Sequence, residues 1–322
     1  MDQIHVICLG DPAEPTLRKL KELGPEVNLT IAKTADELGD ALAEARALYS
    51  WGGSKAELQK VLARAPKLEW IQTRSAGLDS VLFPELIEGP VTLTNGSGTF
   101  SQSLGEFVIT GALYWAKDLP RMQKAKAERR WEVFDIFELS TQTIGIVGHG
   151  DIGRAIARRA KAFGMRVLAL RRDIAPRPGD EDVDKVYPNA ELHTMLPECD
   201  YVVVAAPLTP TTKHLMSTAE FNVMKPSAII MNVGRGPVID EAAMAEALRT
   251  RRIRGAALDV FEVEPLPADS PIWDLDNVLM SAHTADHTQD WLEDAVVFFM
   301  NQFARWKSGE PLKNVVDKKA GY

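Results

Sequence analysis

The sequence predicts an α/β protein with two doubly wound domains, each built on a parallel sheet. Short apolar runs alternate with helical patterns along nearly all of the 322 residues, which is typical of parallel sheets covered by helices on both faces. The strand-to-helix turn with three spaced glycines begins only at Gly148. The residues before that turn therefore have to form a separate α/β domain.

The first hundred residues contain five predicted strands. The strands are Ile4–Leu9, Val27–Ile31, Ala47–Trp51, Leu68–Thr73 and Val91–Thr94, with helices at Pro15–Leu23, Ala35–Ala45 and Lys55–Ala65. Such sheets bind ligands in the loops at the carboxyl ends of their strands. Two loops are candidates, Trp51–Gly53 and Ser75–Asp79. Small residues in the second would leave backbone N–H groups for a carboxylate, although an ordinary turn fits the pattern equally well.

A long helical pattern, Ser101–Ala127, is predicted to lead the chain into the second domain. The stretch that overlaps its end, Arg121–Ser140, is rich in charge and carries Trp131 and Phe134. This composition predicts an exposed excursion before the next strand. Its aromatic residues are consistent with a subunit contact and equally with local packing.

The stretch Thr143–Asp173 has the pattern of one βαβ unit. Its parts are an apolar run Ile144–Val147, the G-x-G-x-x-G glycines Gly148, Gly150 and Gly153, a helical pattern Ile152–Phe163 and a second apolar run Val167–Leu170. The first glycine permits a tight turn, the second lets a pyrophosphate approach, and the third lets helix and strand pack closely. The N–H groups at the start of the helix would bind the phosphates. The unit therefore predicts a dinucleotide site.

The end of the second apolar run indicates which dinucleotide is bound. An NAD site usually has an acid there to bond the ribose 2′-hydroxyl, but this chain has Arg171 and Arg172, with Asp173 one or two places later. Paired guanidinium groups would hold a 2′-phosphate, which an acid would repel. We therefore expect NADP(H), with NAD bound less tightly. The alternative is two solvated surface arginines.

The overall charge and the cysteines limit the class of protein. A net charge of −8 argues against nucleic acid and an anionic membrane surface as main partners. Cys8 and Cys199 each lie at an apolar run, so we expect buried free thiols, with no disulfide and no metal site. Met1 leads directly into the first strand and no apolar run approaches the length of a membrane span. We therefore expect a soluble, cytoplasmic protein.

After the βαβ unit, the alternation of strands and helices resumes. Strands are predicted at Tyr201–Ala205, Ala228–Asn232, Ala256–Val260 and Val278–Met280, and helices at Glu241–Thr250 and Trp291–Trp306. Three polar segments follow strand ends: Asn232–Gly236, Asp259–Leu266 and Ser281–Thr284. They bring an arginine, glutamates and a histidine to the ligand-binding edge of the sheet. Histidine suits proton donation to a developing alkoxide, a carboxylate would favour its charged form, and arginine would bind a substrate carboxylate. Carbonyl–alcohol redox chemistry is the expectation.

These segments resemble the D-isomer-specific 2-hydroxyacid dehydrogenase family over nearly the whole chain. The segments that carry the resemblance are Leu68–Ser80, Thr143–Gly153, Asn232–Asp240, Ala257–Leu266 and Ser281–Thr288. The resemblance implies a flavodoxin-like substrate domain made of residues 1–102 and 290–322. It implies a Rossmann nucleotide-binding domain, residues 103–289, inserted between them. It further implies an active site in a cleft that closes by hinge motion, and a homodimer joined through the nucleotide domains.

The resemblance also implies roles for individual residues. Arg235 would bind the substrate carboxylate and carbonyl, His283 would be the acid/base, and Glu264 would be its charge partner. Ala76 and Gly77 would supply N–H groups to the carboxylate, with Trp51 as a further substrate contact. The expected cofactor contacts are Gly148, Gly150, Asp151, Ile152, Gly153, Arg171, Arg172, Pro207, Thr212, Val233 and Asp259, the last at the nicotinamide carboxamide.

The function that the resemblance implies is NADPH-dependent reduction of a small 2-oxoacid, such as glyoxylate or hydroxypyruvate, to the D-2-hydroxy acid. One alternative is a dehydrogenase for another small acid, of the phosphonate or formate type. A second is a non-catalytic, dinucleotide-sensing protein that resembles the transcriptional corepressors of this fold. The chain departs from the family pattern at Arg171, at Ala282 in place of a proline, and at Ala285-Asp286 in place of a glycine pair. His287 is interpreted as a supporting or surface residue.

Overall fold

The computed structural model describes residues 3–322 and divides them into two compact units. Unit 1 contains the residues up to Phe100 together with Gln289–Tyr322, and unit 2 is the continuous stretch Ser101–Thr288. The chain therefore leaves unit 1 once and returns to it once. Each unit contains one sheet, and both sheets are parallel throughout.

Twelve strands form the two sheets. The strands of unit 1 are β1 Ile4–Leu9, β2 Val27–Ala32, β3 Ala47–Ser50, β4 Trp70–Thr73 and β5 Thr92–Thr94. The strands of unit 2 are β6 Thr143–Val147, β7 Arg166–Leu170, β8 Lys185–Tyr187, β9 Tyr201–Val204, β10 Ile229–Asn232, β11 Gly255–Leu258 and β12 Val278–Met280.

Eleven α-helices accompany these strands in the described residues. They are α1 Ala35–Leu38, α2 Ala41–Glu44, α3 Lys55–Arg64, α4 Pro84–Glu88, α5 Ser101–Ala116, α6 Leu119–Ala127, α7 Asp151–Ala162, α8 Leu192–Met195, α9 Thr218–Val223, α10 Glu241–Arg249 and α11 Trp291–Ser308. Short 3₁₀ helices lie at Pro15–Leu23, Leu139–Thr141, Asn189–Glu191, Leu196–Glu198, Gly236–Val238 and Pro271–Asp274. In the described part of the chain, no helix has both the length and the apolar character needed to cross a membrane.

The sheet of unit 1 has the strand order β2-β1-β3-β4-β5, which is the flavodoxin-like order. Its strands β3 and β4 are buried along their whole length, as expected for strands covered on both faces. Helix α11 completes one face, because Phe299 stacks on Tyr49 at 4.3 Å and on Trp70 at 5.4 Å between ring centroids. An antiparallel bridge joins Thr94 to Val315 at the edge of the sheet.

The sheet of unit 2 has the order β12-β11-β10-β9-β6-β7-β8. The order reverses between β6 and β9, and such a switch point is where open α/β sheets bind their ligands. Helix α7 crosses from β6 to β7, with Ile156 and Ala160 buried against the sheet. The predicted α/β class with two parallel sheets is confirmed. Cys8 and Cys199 are buried as expected, and burial raises the pKa of each thiol to about 12.

Several predicted elements differ in detail. The helix predicted over Ser101–Ala127 is two helices, because Asp118 adopts a left-handed conformation with φ of 52° between α5 and α6. The helix predicted over Ala35–Ala45 is likewise interrupted at Gly39, which has φ of 53°. The stretch Pro15–Leu23 is a 3₁₀ helix. Strand β8 was not predicted, since its three residues are too few to show a period.

Candidate active site

In the glycine turn after β6, Gly148 and Gly153 pack tightly against neighbouring backbone, whereas Gly150 has open space beside it. Gly148 has φ of +99°, and a Cβ there would lie 2.6 Å from the backbone nitrogen of Ala206. A Cβ on Gly153 would lie 2.4 Å from the Gly148 carbonyl oxygen, so α7 packs directly against the turn. A Cβ on Gly150 would meet no neighbouring atom of the described residues within 4 Å. The glycine spacing predicts that a pyrophosphate binds on this open side.

The first turn of α7 offers backbone donors beside Gly150. Gly150 is the N-cap and supplies no side-chain cap, so the N–H groups that begin with Asp151 and Ile152 remain for an anion. The Asp151 carboxylate is already engaged, since it accepts from the Ser101 hydroxyl and lies 3.5 Å from Arg154 Nη2. Ile152 packs against the core of unit 2. The turn and helix therefore fit a dinucleotide through their backbone.

Arg171, predicted to bind a 2′-phosphate directly, is engaged inside the protein. Its side chain is 4% exposed and donates to both carboxylate oxygens of Asp180, with Nη2 2.7 Å from Oδ2. Nε donates to the Asp173 carbonyl at 2.6 Å, Nη2 also donates to the Ala175 carbonyl at 2.8 Å, and Nη1 lies 3.3 Å from His149 Nδ1. These contacts use all five N–H donors of a guanidinium. The geometry does not support the predicted phosphate contact of Arg171.

His149, between the first two glycines, is a residue that sequence reasoning missed. Its ring is 1% exposed, and burial, followed by the charge of Arg171, lowers its pKa to about 4. Because Nδ1 accepts from Arg171, the proton lies on Nε2, which has no hydrogen-bond partner within residues 3–322. The His149 carbonyl accepts from Arg177 Nη2 at 2.9 Å. No local pattern marks His149, because its environment comes from residues far along the chain.

The other predicted cofactor residues lie near strand ends of the same sheet. Arg172 is exposed, next to buried Arg171. Thr212 closes a loop after β9, since its hydroxyl donates to the Pro207 carbonyl at 2.6 Å and accepts from the Thr209 N–H at 2.8 Å. Val233 is 3% exposed and continues the sheet beyond β10. Their contacts with a cofactor stay predictions.

Arg235 lies in a turn that the buried Asn232 holds. The Asn232 side chain accepts from the Gly234 N–H at 3.1 Å and donates to the Arg235 carbonyl at 3.0 Å. Arg235 is half-buried, and its Nη1 donates to the Gly234 carbonyl at 2.9 Å. A Cβ on Gly236 would lie 1.7 Å from the Phe261 carbonyl oxygen, so this turn packs tightly against the segment after β11. The arginine is thus presented from a rigid backbone.

Asp259, predicted to hold the nicotinamide carboxamide, anchors the loop after β12. It is 1% exposed, and its Oδ1 accepts from the Ser281 hydroxyl and from the N–H groups of Thr284 and Ala285 at 2.9 and 3.0 Å. Its backbone carbonyl accepts from the His283 N–H at 2.9 Å. Four bonds therefore fix the segment that carries His283. The anchoring role of Asp259 was not predicted, and its contact with a carboxamide stays a prediction.

The structure brings His283 and Glu264 together. His283 Nδ1 lies 2.7 Å from Glu264 Oε2, while Glu264 Oε1 accepts from the Phe261 N–H at 2.9 Å. The two side chains are 41% and 35% exposed, so a reactant can reach them. His283 has φ of 54°, a left-handed conformation that is unusual for a residue with a side chain and is often found at functional sites. Because Nδ1 faces the carboxylate, Nε2 is available for proton transfer.

The neighbouring His287 has a different partner. Its Nε2 lies 3.7 Å from Asp286 Oδ1, consistent with the predicted supporting role. Burial, and to a smaller degree the charge of Asp259, raises the pKa of Asp286. Glu262, the other acid in the segment after β11, pairs with His214 at 2.9 Å. Of the two glutamates in that segment, Glu264 is therefore the one that contacts His283.

The predicted substrate residues of unit 1 lie in two loops. The Ala76 carbonyl accepts from Asn95 Nδ2 at 2.8 Å, and the Gly77 carbonyl accepts from the Ser75 hydroxyl at 3.1 Å. Among the hydrogen bonds of the described residues, the N–H groups of Ala76 and Gly77 donate to no protein acceptor. The loop thus keeps backbone donors for a ligand. Trp51 is 7% exposed, with the Arg74 guanidinium 4.8 Å from its ring centroid, so little of the indole is accessible.

Comparison with known proteins adds independent information. Residues 109–285 match the sequence model of the NAD-binding domain of D-isomer specific 2-hydroxyacid dehydrogenases. The chain is 33% identical to glyoxylate/hydroxypyruvate reductase B of Enterobacter sp. over 94% of this chain and 91% of that protein. It is 32% identical to D-3-phosphoglycerate dehydrogenase of Methanocaldococcus jannaschii over 97% of its length, but spans only 59% of that protein.

A solved structure shows the same fold over the whole chain. The D-isomer specific 2-hydroxyacid dehydrogenase of Xanthobacter autotrophicus Py2, crystallised with NADPH and MES, has a TM-score of 0.84 and 30% identity. The match covers 99% of this chain and all of that one. The match of the family sequence model spans more than half of the chain, and the glycine turn and the His283–Glu264 pair both lie within that region. The chain therefore belongs to the family of D-isomer specific 2-hydroxyacid dehydrogenases, which are NAD(P)-dependent enzymes.

Proposed function

We propose that the protein reduces a small 2-oxoacid, of the glyoxylate or hydroxypyruvate type, to the D-2-hydroxy acid with NADPH. The observation that carries the proposal is the 2.7 Å contact between His283 Nδ1 and Glu264 Oε2 at the carboxyl edge of the nucleotide-binding sheet. A histidine oriented by a carboxylate is the arrangement that a reversible proton transfer to a carbonyl oxygen needs. The similarity to a glyoxylate/hydroxypyruvate reductase supports the substrate class.

In this proposal, the chain's own residues bind the acid and move one proton. The bound dinucleotide supplies the hydride that the carbonyl carbon accepts. Arg235 binds the carboxylate of the substrate, and its charge also polarises the carbonyl. His283 donates its Nε2 proton to the carbonyl oxygen, so that one hydride and one proton convert the ketone or aldehyde to an alcohol. Glu264 holds the ring through Nδ1 and so leaves Nε2 for that step.

The remaining proposed contacts are assigned within each unit separately. In unit 1, the N–H groups of Ala76 and Gly77 are the proposed donors for a carboxylate, and Trp51 is a further proposed substrate contact. In unit 2, the backbone of the Gly148–Gly153 turn would bind the pyrophosphate, and Asp259 would accept from the nicotinamide carboxamide. Pro207, Thr212 and Val233 would contact the cofactor from neighbouring strand ends.

Three observations favour NADPH over NADH. The end of β7 carries Arg171 and Arg172 instead of the acid that would bond a ribose 2′-hydroxyl. The acid nearest to Arg171, Asp180, is neutralised by that arginine. The similar structure from Xanthobacter autotrophicus contains NADPH. NAD is expected to bind with lower affinity.

The test is consumption of reduced cofactor with a panel of 2-oxoacids, using NADPH and NADH in parallel. Glyoxylate and hydroxypyruvate should be reduced faster with NADPH. Oxidation of D-3-phosphoglycerate is measured alongside with NADP+ and NAD+ as the hydride acceptors, because one similar protein is named D-3-phosphoglycerate dehydrogenase. Turnover of D-3-phosphoglycerate alone would replace the proposed substrate, and silence with every acid would contradict the proposed reaction.

Two alternatives make different predictions in that panel. A dehydrogenase for another small acid, of the phosphonate or formate type, would consume oxidised cofactor with that acid and ignore the 2-oxoacids. A dinucleotide sensor would bind cofactor tightly without turnover. The pairing of His283 with Glu264 weighs against the sensor, since binding alone does not require an oriented proton donor.

A homodimer is part of the proposal. The segment 128–138, between α6 and the next 3₁₀ helix, exposes apolar side chains that monomers usually bury. Trp131 is 97% exposed, Val133 86% and Phe137 51%. A second copy of the same chain is the proposed partner, because two-fold self-association is the commonest oligomeric form of soluble proteins. Sedimentation of the purified protein tests it directly.

A further inference from the structure

The loop that follows β7 is closed by one carboxylate. Asp180 accepts from both terminal nitrogens of Arg171 and, through Oδ2, from the backbone N–H of Arg177 at 3.0 Å. The Arg171 guanidinium also donates to the carbonyls of Asp173 and Ala175 within the same loop. Hydrogen bonding from Arg171 lowers the pKa of Asp180 to about 2. The segment 171–180 is therefore a loop closed by a partly buried ion pair.

The same loop brings Arg177 into contact with the glycine turn. Arg177 is an exposed residue, yet its Nη2 donates to the carbonyl of His149 at 2.9 Å. His149 lies between the first two glycines, so the Arg177 guanidinium sits beside the site expected for the cofactor. In this fold the adenosine ribose lies between the glycine turn and the end of the following strand. Arg177 connects these two places.

The charge around Arg177 favours an anion there. Burial, followed by the charges of Arg171 and Arg154, lowers the pKa of Arg177. Arg154 approaches from α7 and packs under the loop, since a Cβ on Gly179 would lie 2.2 Å from Arg154 Cδ. A phosphate monoester would stabilise this group of guanidinium charges through charge-assisted hydrogen bonds. A bare ribose hydroxyl would not.

We propose that Arg177 binds the 2′-phosphate on the adenosine ribose of the cofactor, and that Asp180 and Arg171 are the positioning residues that hold it there. This inference rests on the NADPH preference proposed above. Arg171 then contributes to cofactor choice without touching the phosphate. The discriminating residue lies on the loop, several positions beyond the strand end where the sequence pattern places it.

Nucleotide fragments test the inference without turnover. Calorimetric titration compares 2′,5′-ADP, which carries the ribose phosphate, with 5′-AMP, which lacks it. Arg177→Ala should weaken 2′,5′-ADP about 10- to 100-fold, the size of a lost charge-assisted contact, and leave 5′-AMP within about threefold. Arg249→Ala is the matched control, since it removes the same charge from α10, where Arg249 bonds Glu246. That control should bind both fragments as the wild type does.

The positioning residues are tested by conservative changes. Asp180→Asn should weaken 2′,5′-ADP selectively, and Asp180→Glu, which restores the carboxylate, should recover part of the loss. KM for NADPH should rise in Asp180→Asn while kcat stays within about twofold, because the proposed proton donor His283 and its partner Glu264 lie outside this loop. Thermal unfolding identifies variants that lose the fold.

The outcomes separate the inference from the proposed function. Wild-type protein that prefers 2′,5′-ADP and keeps this preference in Arg177→Ala would overturn the role of Arg177 alone. Equal loss of both fragments would assign Arg177 to support of the turn and also overturn it. Wild-type protein that binds both fragments equally would overturn the phosphate site together with the NADPH preference. The 2-oxoacid panel decides the reaction independently.

Discussion

Two carboxylates hold two loops at the same edge of the unit 2 sheet, and they do so by different means. Asp259 uses one oxygen, Oδ1, to bind the neutral donors of Ser281, Thr284 and Ala285. Asp180 uses both oxygens to bind the charged fork of Arg171. Each loop also carries one residue that is proposed to act on the ligand. This residue is His283 in the loop that Asp259 holds and Arg177 in the loop that Asp180 holds.

The type of donor that each carboxylate binds determines the net charge of its loop. Neutral donors fix the Asp259 loop but leave its negative charge. Burial raises the pKa of Asp286, and the charge of Asp259 adds a smaller contribution. Arg171 cancels the charge of Asp180, and the guanidinium groups of Arg154 and Arg177 add positive charge around it; burial, followed by the charges of Arg171 and Arg154, lowers the pKa of Arg177. One strand end is therefore acidic and suits a histidine that must become charged. The other is basic and suits a phosphate.

Removal of the proton donor should have the largest effect. We expect His283→Ala to lower kcat for 2-oxoacid reduction about 10²- to 10⁴-fold, the usual value of a positioned general acid. His287→Ala is the matched control, since it removes another imidazole from the same loop. That imidazole pairs with Asp286 and not with Glu264. This variant should keep kcat within about threefold. Equal losses in the two variants would contradict the distinction between them.

Asp-to-Asn changes at Asp259 and Asp180 should lower the free energy of unfolding by different amounts. In Asp259→Asn the amide oxygen can replace Oδ1 for all three neutral donors, so we expect a loss below about 1 kcal/mol. In Asp180→Asn the amide nitrogen faces the Arg171 guanidinium, which is buried, and we expect a loss of about 2 kcal/mol. The free energy of unfolding from urea denaturation measures both losses. A larger loss in Asp259→Asn would reverse the comparison.

Mild acid should lower the stability of the folded protein through His149. Its pKa is about 4 in the folded protein against 6.5 for an unperturbed histidine, so the unfolded chain binds more protons between these values. The stabilising contribution is thus complete above about pH 6.5 and falls as the pH drops towards 4. Between about pH 7 and pH 5 the loss should be about 1 to 2 kcal/mol.

His149→Gln should lack this component of the pH dependence. The difference in unfolding free energy between wild type and variant, measured across that pH range, isolates it from other titrating groups. A difference that does not change with pH would show that the buried ring is not responsible. Asp180, with a pKa of about 2, stays charged throughout this range.

A change in the exposed segment 128–138 should have the smallest effect on turnover. Trp131→Ser removes the most exposed aromatic side chain of segment 128–138. We expect weaker self-association by sedimentation, with kcat and the cofactor preference of the protein within about twofold of wild type. An intact dimer in this variant would exclude Trp131 from the contact.

Much of the fold could be predicted from the sequence, because its signals are local. The apolar runs of β1, β6 and β12 and the glycine spacing after β6 depend on neighbouring residues alone. The pairing of His283 with Glu264 was predicted by resemblance. The engagement of Arg171 was not predicted, since it depends on Asp180, whose carboxylate reaches it only through the path of a loop. Burial of His149 and the anchoring role of Asp259 escaped prediction for the same reason.

The return of the chain to unit 1 has a consequence for synthesis on the ribosome. The aromatic face of Tyr49 and Trp70 is covered by Phe299 of α11, which is translated after all of unit 2. A nascent chain that ends at Thr288 has the whole sequence of unit 2 and an uncovered apolar face on unit 1. Unit 2 is therefore free to fold first, while the aromatic face of unit 1 stays uncovered until the stretch from Gln289 onward emerges.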